Sequence, residues 1–254
     1  MNSRLLFLLL VAIGLWFPRQ AAGQDFPDGR WQLELEGGAV WQTINDVQIP
    51  NDATGTRFAL DEVTGAGPWA AGRLYLSYAL NARSSLRGLF APLSVAERGV
   101  LPGPVDFAGT AFIAADPAEA TYKFNSYRLS YRYLWKDGAR WRWWIGFTAK
   151  VRDAKVQLRQ GGTTATDTDV GFVPLLHLAA ACELGGGWLL LLDVDALAGG
   201  PGRAEDVALK LGRDLGDRVS LAAGYRMLEG GADVDAVYAF AWLHYAVGSV
   251  SWRF

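Results

Sequence analysis

From Tyr127 to Trp135 the chain alternates strictly: Tyr127, Leu129, Tyr131, Tyr133 and Trp135 share one parity, and Arg128, Ser130 and Arg132 hold the other. Successive side chains of a β-strand point to opposite faces, so this strand has an aromatic face and a charged one. The following segment repeats the pattern, with Trp141, Trp143, Ile145, Phe147, Ala149 and Val151 set against Arg142, Trp144, Gly146, Thr148, Lys150 and Arg152. Between them Lys136-Asp137-Gly138-Ala139 reads as a hairpin turn. Arg128, Arg132, Arg142, Lys150 and Arg152 cannot all sit in a dry core. If the aromatic parity faces lipid and the charges line a polar lumen, both faces are satisfied, and closure leaves no strand edge unpaired in hydrocarbon. The competing arrangement is a soluble periplasmic barrel around an apolar ligand, which requires the aromatic parity to point inward.

The same reading predicts ten strands, near 30–42, 68–80, 84–97, 120–135, 140–159, 168–184, 187–198, 204–213, 218–228 and 235–247. The third is the least regular, because Pro92 interrupts its ladder. Gly171 to Leu192 is apolar enough to suggest a membrane helix, but it contains Pro174, His177, Glu183 and the triplet Gly185-Gly186-Gly187, which read as strand and turn. The connections alternate in length. Those at 81–83, 136–139, 185–186 and 214–217 are tight, and those at 43–67, 98–119, 160–167, 199–203 and 229–234 are longer. Short turns at one end, long loops at the other and both termini on the short side give the layout of an outer-membrane barrel.

The chain ends Val250, Trp252, Phe254 at alternate positions. This resembles the C-terminal assembly signal of bacterial outer-membrane β-barrel proteins, a terminal aromatic preceded by apolar residues at every second position. The resemblance implies an all-β, transmembrane, antiparallel up-and-down β-barrel of about ten strands, with eight as the alternative. It also implies the outer membrane of a Gram-negative bacterium, with the barrel-assembly machinery, outer-membrane lipids and lipopolysaccharide as partners. One departure is that Leu243 and Tyr245 oppose Trp252 and Phe254 in parity, which a bulge at 246–249 would reconcile. At the other end, Arg4, the apolar run Leu5 to Phe17 and Ala21-Ala22-Gly23 have the anatomy of a secretory signal over 1–23. That leaves 24–254 as one barrel domain.

Composition narrows the chemistry. Eleven Trp, nine Tyr and twelve Phe exclude a disordered chain, one Cys excludes an internal disulfide and two His exclude a histidine-rich metal centre. The 24 basic and 26 acidic residues give no footprint for nucleic acid. No motif calls for a cofactor or metal. The parity rule turns Arg128, Arg132, Arg142, Lys150, Arg152, His177, Asp193 and Asp195 into the lumen. The expected role is therefore structural, surface-binding or narrow passage of a small solute. The alternative is a hydrolase or lipid-modifying barrel using His177 or His244, with Ser130 or Ser220 as nucleophile. A smaller expectation gathers Glu205, Asp206, Glu229, Asp233 and Asp235 on outer loops, where carboxylates could bind Ca²⁺. Cys182 shares the apolar parity of its strand, which suits packing or lipid contact.

Overall fold

The computed structural model describes residues 30–114, 116–200 and 202–254; the leader read over 1–23 lies outside them. In chain order the elements are β1 (Trp31–Gln48), β2 (Phe58–Ala59), α1 (Asp61–Thr64), β3 (Trp69–Ala79), β4 (Ser84–Ala91), β5 (Ser94–Val100), β6 (Val105–Phe107), β7 (Thr110–Phe112), β8 (Pro117–Asp137), β9 (Trp141–Gln160), β10 (Thr163–Gly185), β11 (Trp188–Gly199), β12 (Gly202–Asp214), β13 (Val219–Val234) and β14 (Val237–Arg253). β1, β3, β4 with its continuation β5, and β8 to β14 make a ring of ten antiparallel positions. The ring closes where β1 pairs with β14, from Gln32 opposite Arg253 to Gln48 opposite Tyr238. At the turn end of that seam the Trp31 and Phe254 amides each donate to the other's carbonyl, at 3.0 and 2.9 Å. The ten-strand reading holds over the alternative of eight.

Exposure decides between lipid and a soluble core. Phe147 is 67% exposed, Phe172 68% and Trp135 60%, so the aromatic parity points out of the ring. On β9 the outward apolar run lasts from Trp141 to Val151 and then gives way to Asp153 and Lys155. Eleven residues rising about 3.3 Å each on a strand tilted by about 40° cover roughly 28 Å, the height of a bilayer's apolar band. On β8 the band stops at Asn125 and Lys123, on β12 at Glu205 and Arg203, and on β13 at Glu229. The opposite border carries Trp31, Trp135, Trp141, Trp188 and Trp252, an interfacial girdle on the short-turn side.

Several expectations are corrected. The connections at 160–167 and 229–234 are tight, because β9 and β10 run to Gln160 and Thr163 and β13 to Val234, and at 199–203 the strands themselves extend to Gly199 and from Gly202. These strands rise above the apolar band, where Thr163 to Asp169 is polar on both faces apart from the buried Ala165, so the hydrophobic alternation stops while the ladder continues. The third strand divides into β4 and β5, both paired to β8, since Pro92 has no N–H to donate. The Leu93 amide turns to the Asn125 side chain, 3.1 Å away. β14 needs no bulge at 246–249. It pairs in unbroken register with β13, and Leu243 and Tyr245 face inward; the irregularity lies on β1 between Gln42 and Ile44.

Leu243 and Tyr245 are accepted inside because the loop-side half of the bore is apolar. The two long connections fold into it. Residues 49–68 carry β2 and α1, residues 101–116 carry β6 and β7, and they bond to each other through the Thr56 amide and the Asp106 carbonyl at 2.9 Å. Phe58, Leu60, Val63, Leu101, Phe107 and Phe112 pack there against Val40, Val47, Leu243 and Tyr245. Phe58 and Phe107 meet edge to face at 6.1 Å. The chain therefore forms its own apolar plug above the charged level of the bore.

Candidate functional site

Below the plug, inward positions on every ring strand converge on one polar layer. Glu36 comes from β1, Arg73 from β3, Arg87 from β4, Arg128 from β8, Thr148 from β9, His177 from β10, Asp195 from β11, Asp206 from β12, Arg226 from β13 and Ser249 from β14; all are buried. Asp206 accepts from Arg73 at 2.8 Å, from Arg128 at 2.6 Å and from Arg226. Asp195 accepts from Arg128 at 2.8 Å and Thr148 at 2.7 Å and bonds His177 Nδ1 at 2.8 Å. Arg87 grips Asp193 with both terminal nitrogens, at 2.6 and 2.9 Å. Lys210 bridges Glu34 at 2.6 Å and Glu36 at 2.9 Å, and Arg226 donates to Glu36 and to the Tyr75 hydroxyl. Removing charges from water is costly, and here each carboxylate recovers that cost through charge-assisted bonds to partners on other strands.

Of the eight lumen residues expected from parity, the structure brings Arg128, His177, Asp193 and Asp195 together in this layer. Arg132 joins at its edge, with Nε 3.2 Å from His177 Nε2. Arg142 lies toward the turn side, 5.5 Å from the Trp144 ring. Lys150 and Arg152 stand apart on the loop side: Arg152 pairs with Asp169, and Lys150 lies 4.9 Å from the Phe124 ring centre. Asp206 was read from the sequence only as an outer-loop carboxylate, and Glu36, Arg73, Arg87, Lys210 and Arg226 were not singled out. Each of these five is a lone charge between apolar or glycine neighbours, such as Lys210 between Leu209 and Leu211, and that is the signal parity offers for them.

The calcium expectation is overturned. Asp206 is not in a loop, because β12 already begins at Gly202, and strand parity turns it into the bore. Glu205 and Glu229 stand opposite each other on β12 and β13, but Glu229 pairs with Arg203 and Asp233 accepts from Asn51 at 2.8 Å, so among the described residues the five acids form no common cluster. Ligand atoms of His177, Asp193 and Asp195 do lie within 4.8 Å of one another. Guanidinium groups already occupy both carboxylates, so this donor set fits ion pairing rather than a cation. Cys182 is buried on the lipid-facing parity, in register with Trp141 and Leu190.

Both histidines have their ring nitrogens engaged. His177 places Nδ1 on Asp195 and Nε2 on Arg132. His244 lies on the outer wall, bonded to Thr43 at 2.9 Å and to Tyr225, and stacked on Trp41 and Trp242. Ser130 bonds Thr148 at 2.7 Å and Ser220 bonds Asp214 at 2.5 Å, so neither candidate nucleophile meets a histidine. His177→Ala is expected to lower stability by about 1–3 kcal/mol, since Asp195 keeps Arg128 and Thr148. The check is denaturant unfolding of the barrel in micelles, with the folded form still resistant to SDS before heating.

Two cavities flank the layer and share no lining residue. A turn-side vestibule of about 150 Å³ is lined by Arg132, Arg142, Asp193 and Arg253, among others. A loop-side cavity of about 420 Å³ is lined by Tyr122, Lys150, Phe172, Phe240 and Ala241, among others.

No family model matches the chain, and no curated protein matches it in sequence. Solved structures do match in shape. The outer membrane protease OmpT from Escherichia coli superimposes with a TM-score of 0.54 at 8% identity, over 91% of this chain and 98% of that one. The outer membrane protein AlkL gives 0.41 at 12% identity over 95% and 98% of the two chains. The Neisserial surface protein NspA gives 0.38 at 12% over 88% and 97%. At such identities the fold alone is shared, and the chain has the fold of a bacterial outer-membrane β-barrel protein.

Proposed function

We propose that this protein is a non-enzymatic barrel of the Gram-negative outer membrane whose bore is closed and whose binding surface is its loop-side end. The observation that carries the reading is the buried ion-pair layer, to which all ten ring strands contribute, lying between two cavities with no residue in common. A barrel of this size has an interior that side chains can fill. Here charged groups fill the middle, and the plug occupies part of the loop-side half beside the 420 Å³ cavity. The outward apolar band and its aromatic border support a position in lipid. Passage of a polar solute down the lumen requires breaking several desolvated ion pairs at once, so the geometry favours binding over transport. The engaged histidines support a non-catalytic role.

Planar-bilayer recording tests the reading. The wild-type barrel is expected to insert without stable conductance steps, whereas Arg128→Ser combined with Asp195→Ser, which thins the layer while keeping its charge balance, is expected to produce them. Reproducible unit conductance from the wild type would overturn the closed-bore reading.

A further inference from the structure

The ring wall is uneven. β9 and β10 have 20 and 23 residues, but the next hairpin, β11 and β12, has 12 and 13. β10 pairs with β9 from Thr163 onward and with β11 only from Leu176 onward. Residues 163–175 of β10 thus carry a free edge, and above the β11–β12 tip the wall has a notch. Pro174 sits on this free stretch, where a missing N–H costs no ladder bond toward β11.

The 420 Å³ cavity opens at that notch. Its lining passes from inward residues (Tyr122, Phe124, Val173, Ala241) to outward ones (Phe172, Phe240), as it must where a cavity meets a gap in the wall. Phe172 is in register with Val151, the last outward apolar residue of β9, so the opening lies at the upper rim of the apolar band. The lining is predominantly apolar, and the volume is that of a small-molecule site.

Of the charged lining residues, which also include Arg152, Lys155, Asp167, Asp169 and Arg203, Lys150 is the one that is fully buried. Lys150 is 3% exposed and, among the described residues, has neither a hydrogen bond nor an ion pair; its ammonium faces the Phe124 ring at 4.9 Å. Arg152 and Arg203, which also line the cavity, are each paired with an acid, Asp169 and Glu229. A buried ammonium without a counter-charge is costly, and a ligand anion placed there removes that cost.

We propose that this cavity binds an amphipathic monocarboxylate, its carboxylate on Lys150 and its hydrocarbon body along Tyr122, Phe124, Phe172 and Phe240, entering through the notch above β11–β12. The proposal rests on the reading that the loop-side end is a binding surface, and it names the ligand class. Phe124 then serves two purposes, holding the ammonium by cation–π attraction when the site is empty and flanking the carboxylate when it is filled.

The test uses the full-length barrel held in amphipol, so that no lipid competes, with decanoate and the neutral decanol as probes, followed by calorimetry. Wild type is expected to bind decanoate at least tenfold more tightly than decanol. Lys150→Met keeps the stem and removes the charge, and is expected to lose that tenfold preference while decanol binding stays unchanged. Lys150→Arg is expected to restore most of it. Ala241→Trp, which puts bulk into the cavity while Lys150 itself is kept, is expected to abolish binding of both probes. Equal decanoate affinity in wild type and Lys150→Met, or undiminished binding in Ala241→Trp, would overturn the proposal. Retention of the SDS-resistant form establishes that each variant is folded. Conductance by the wild type would remove the closed-bore reading and leave a Lys150-dependent decanoate site standing, so the two failures are distinct.

Discussion

Asp206→Ala is expected to destabilise the barrel by about 3–5 kcal/mol, the range for removing one partner from a buried ion-pair network. The reason is the number of cations that meet there. Arg73, Arg128 and Arg226 all donate to this one carboxylate, and all three are buried. Without it, Arg128 keeps Asp195 and Arg226 keeps Glu36, while Arg73 retains only Glu36 at 4.0 Å. Three like charges are then left close together in a medium that screens them poorly. Arg203→Ala is the control. Its pair with Glu229 lies on the outer wall with the arginine side chain half exposed, and such a pair is worth no more than about 1 kcal/mol. Urea unfolding of the folded barrel in lipid vesicles compares the two. An Asp206→Ala barrel within about 1 kcal/mol of wild type, no worse than the surface pair, would show that the layer is not held through this residue.

Gly146→Val is expected to prevent the barrel from forming at all. A Cβ built at Gly146 falls 1.8 Å from the Tyr131 carbonyl oxygen on β8, and one at Gly38 falls 1.9 Å from the Ala246 carbonyl oxygen across the seam. Both contacts are with backbone of the neighbouring strand, so no side-chain rotation relieves them. Glycines at such inward positions let a strand bend sharply as the ring turns its corners. A branched side chain at 146 has to push β8 and β9 apart in the middle of one of the longest ladders in the ring. The comparison is Gly162→Val in the β9–β10 turn, where a Cβ meets nothing within 4 Å. Refolding into micelles followed by electrophoresis without boiling is expected to show the fast-migrating folded form for Gly162→Val and none for Gly146→Val. A folded Gly146→Val barrel would show that the strands can separate there at little cost.

The ring strands were legible wherever one face meets lipid, because the bilayer imposes apolar residues at every second position. Legibility ended with the apolar band. Thr163 to Asp169 is as much a strand as Val170 to Ala181, but apart from the buried Ala165 both its faces are polar, so no apolar alternation marks the pairing. The plug was missed for a related reason. Leu60, Val63 and Phe107 follow no period, since they fill a space shaped by strands far away in sequence. In the bore, parity identified which way Arg128, Asp193 and Asp195 point, but not that Asp206 meets Arg73 across 133 residues. Such pairings depend on ring size and strand stagger, which no short window contains. Pro174 was the one local mark of the notch, a residue that tolerates an edge in a stretch otherwise suited to a central strand.

The polar layer bears on how the barrel is assembled. Lys210 on β12 reaches Glu34 and Glu36 on β1 and Ser249 on β14, so one ammonium ties both sides of the seam. Before β1 and β14 meet, these groups look out through an open wedge and remain hydrated. Closing the wedge strips that water in a single event and supplies the partners in the same event. A half-zipped ring gains neither hydration nor pairing. The seam therefore acts as a catch that is either wet and open or dry and shut.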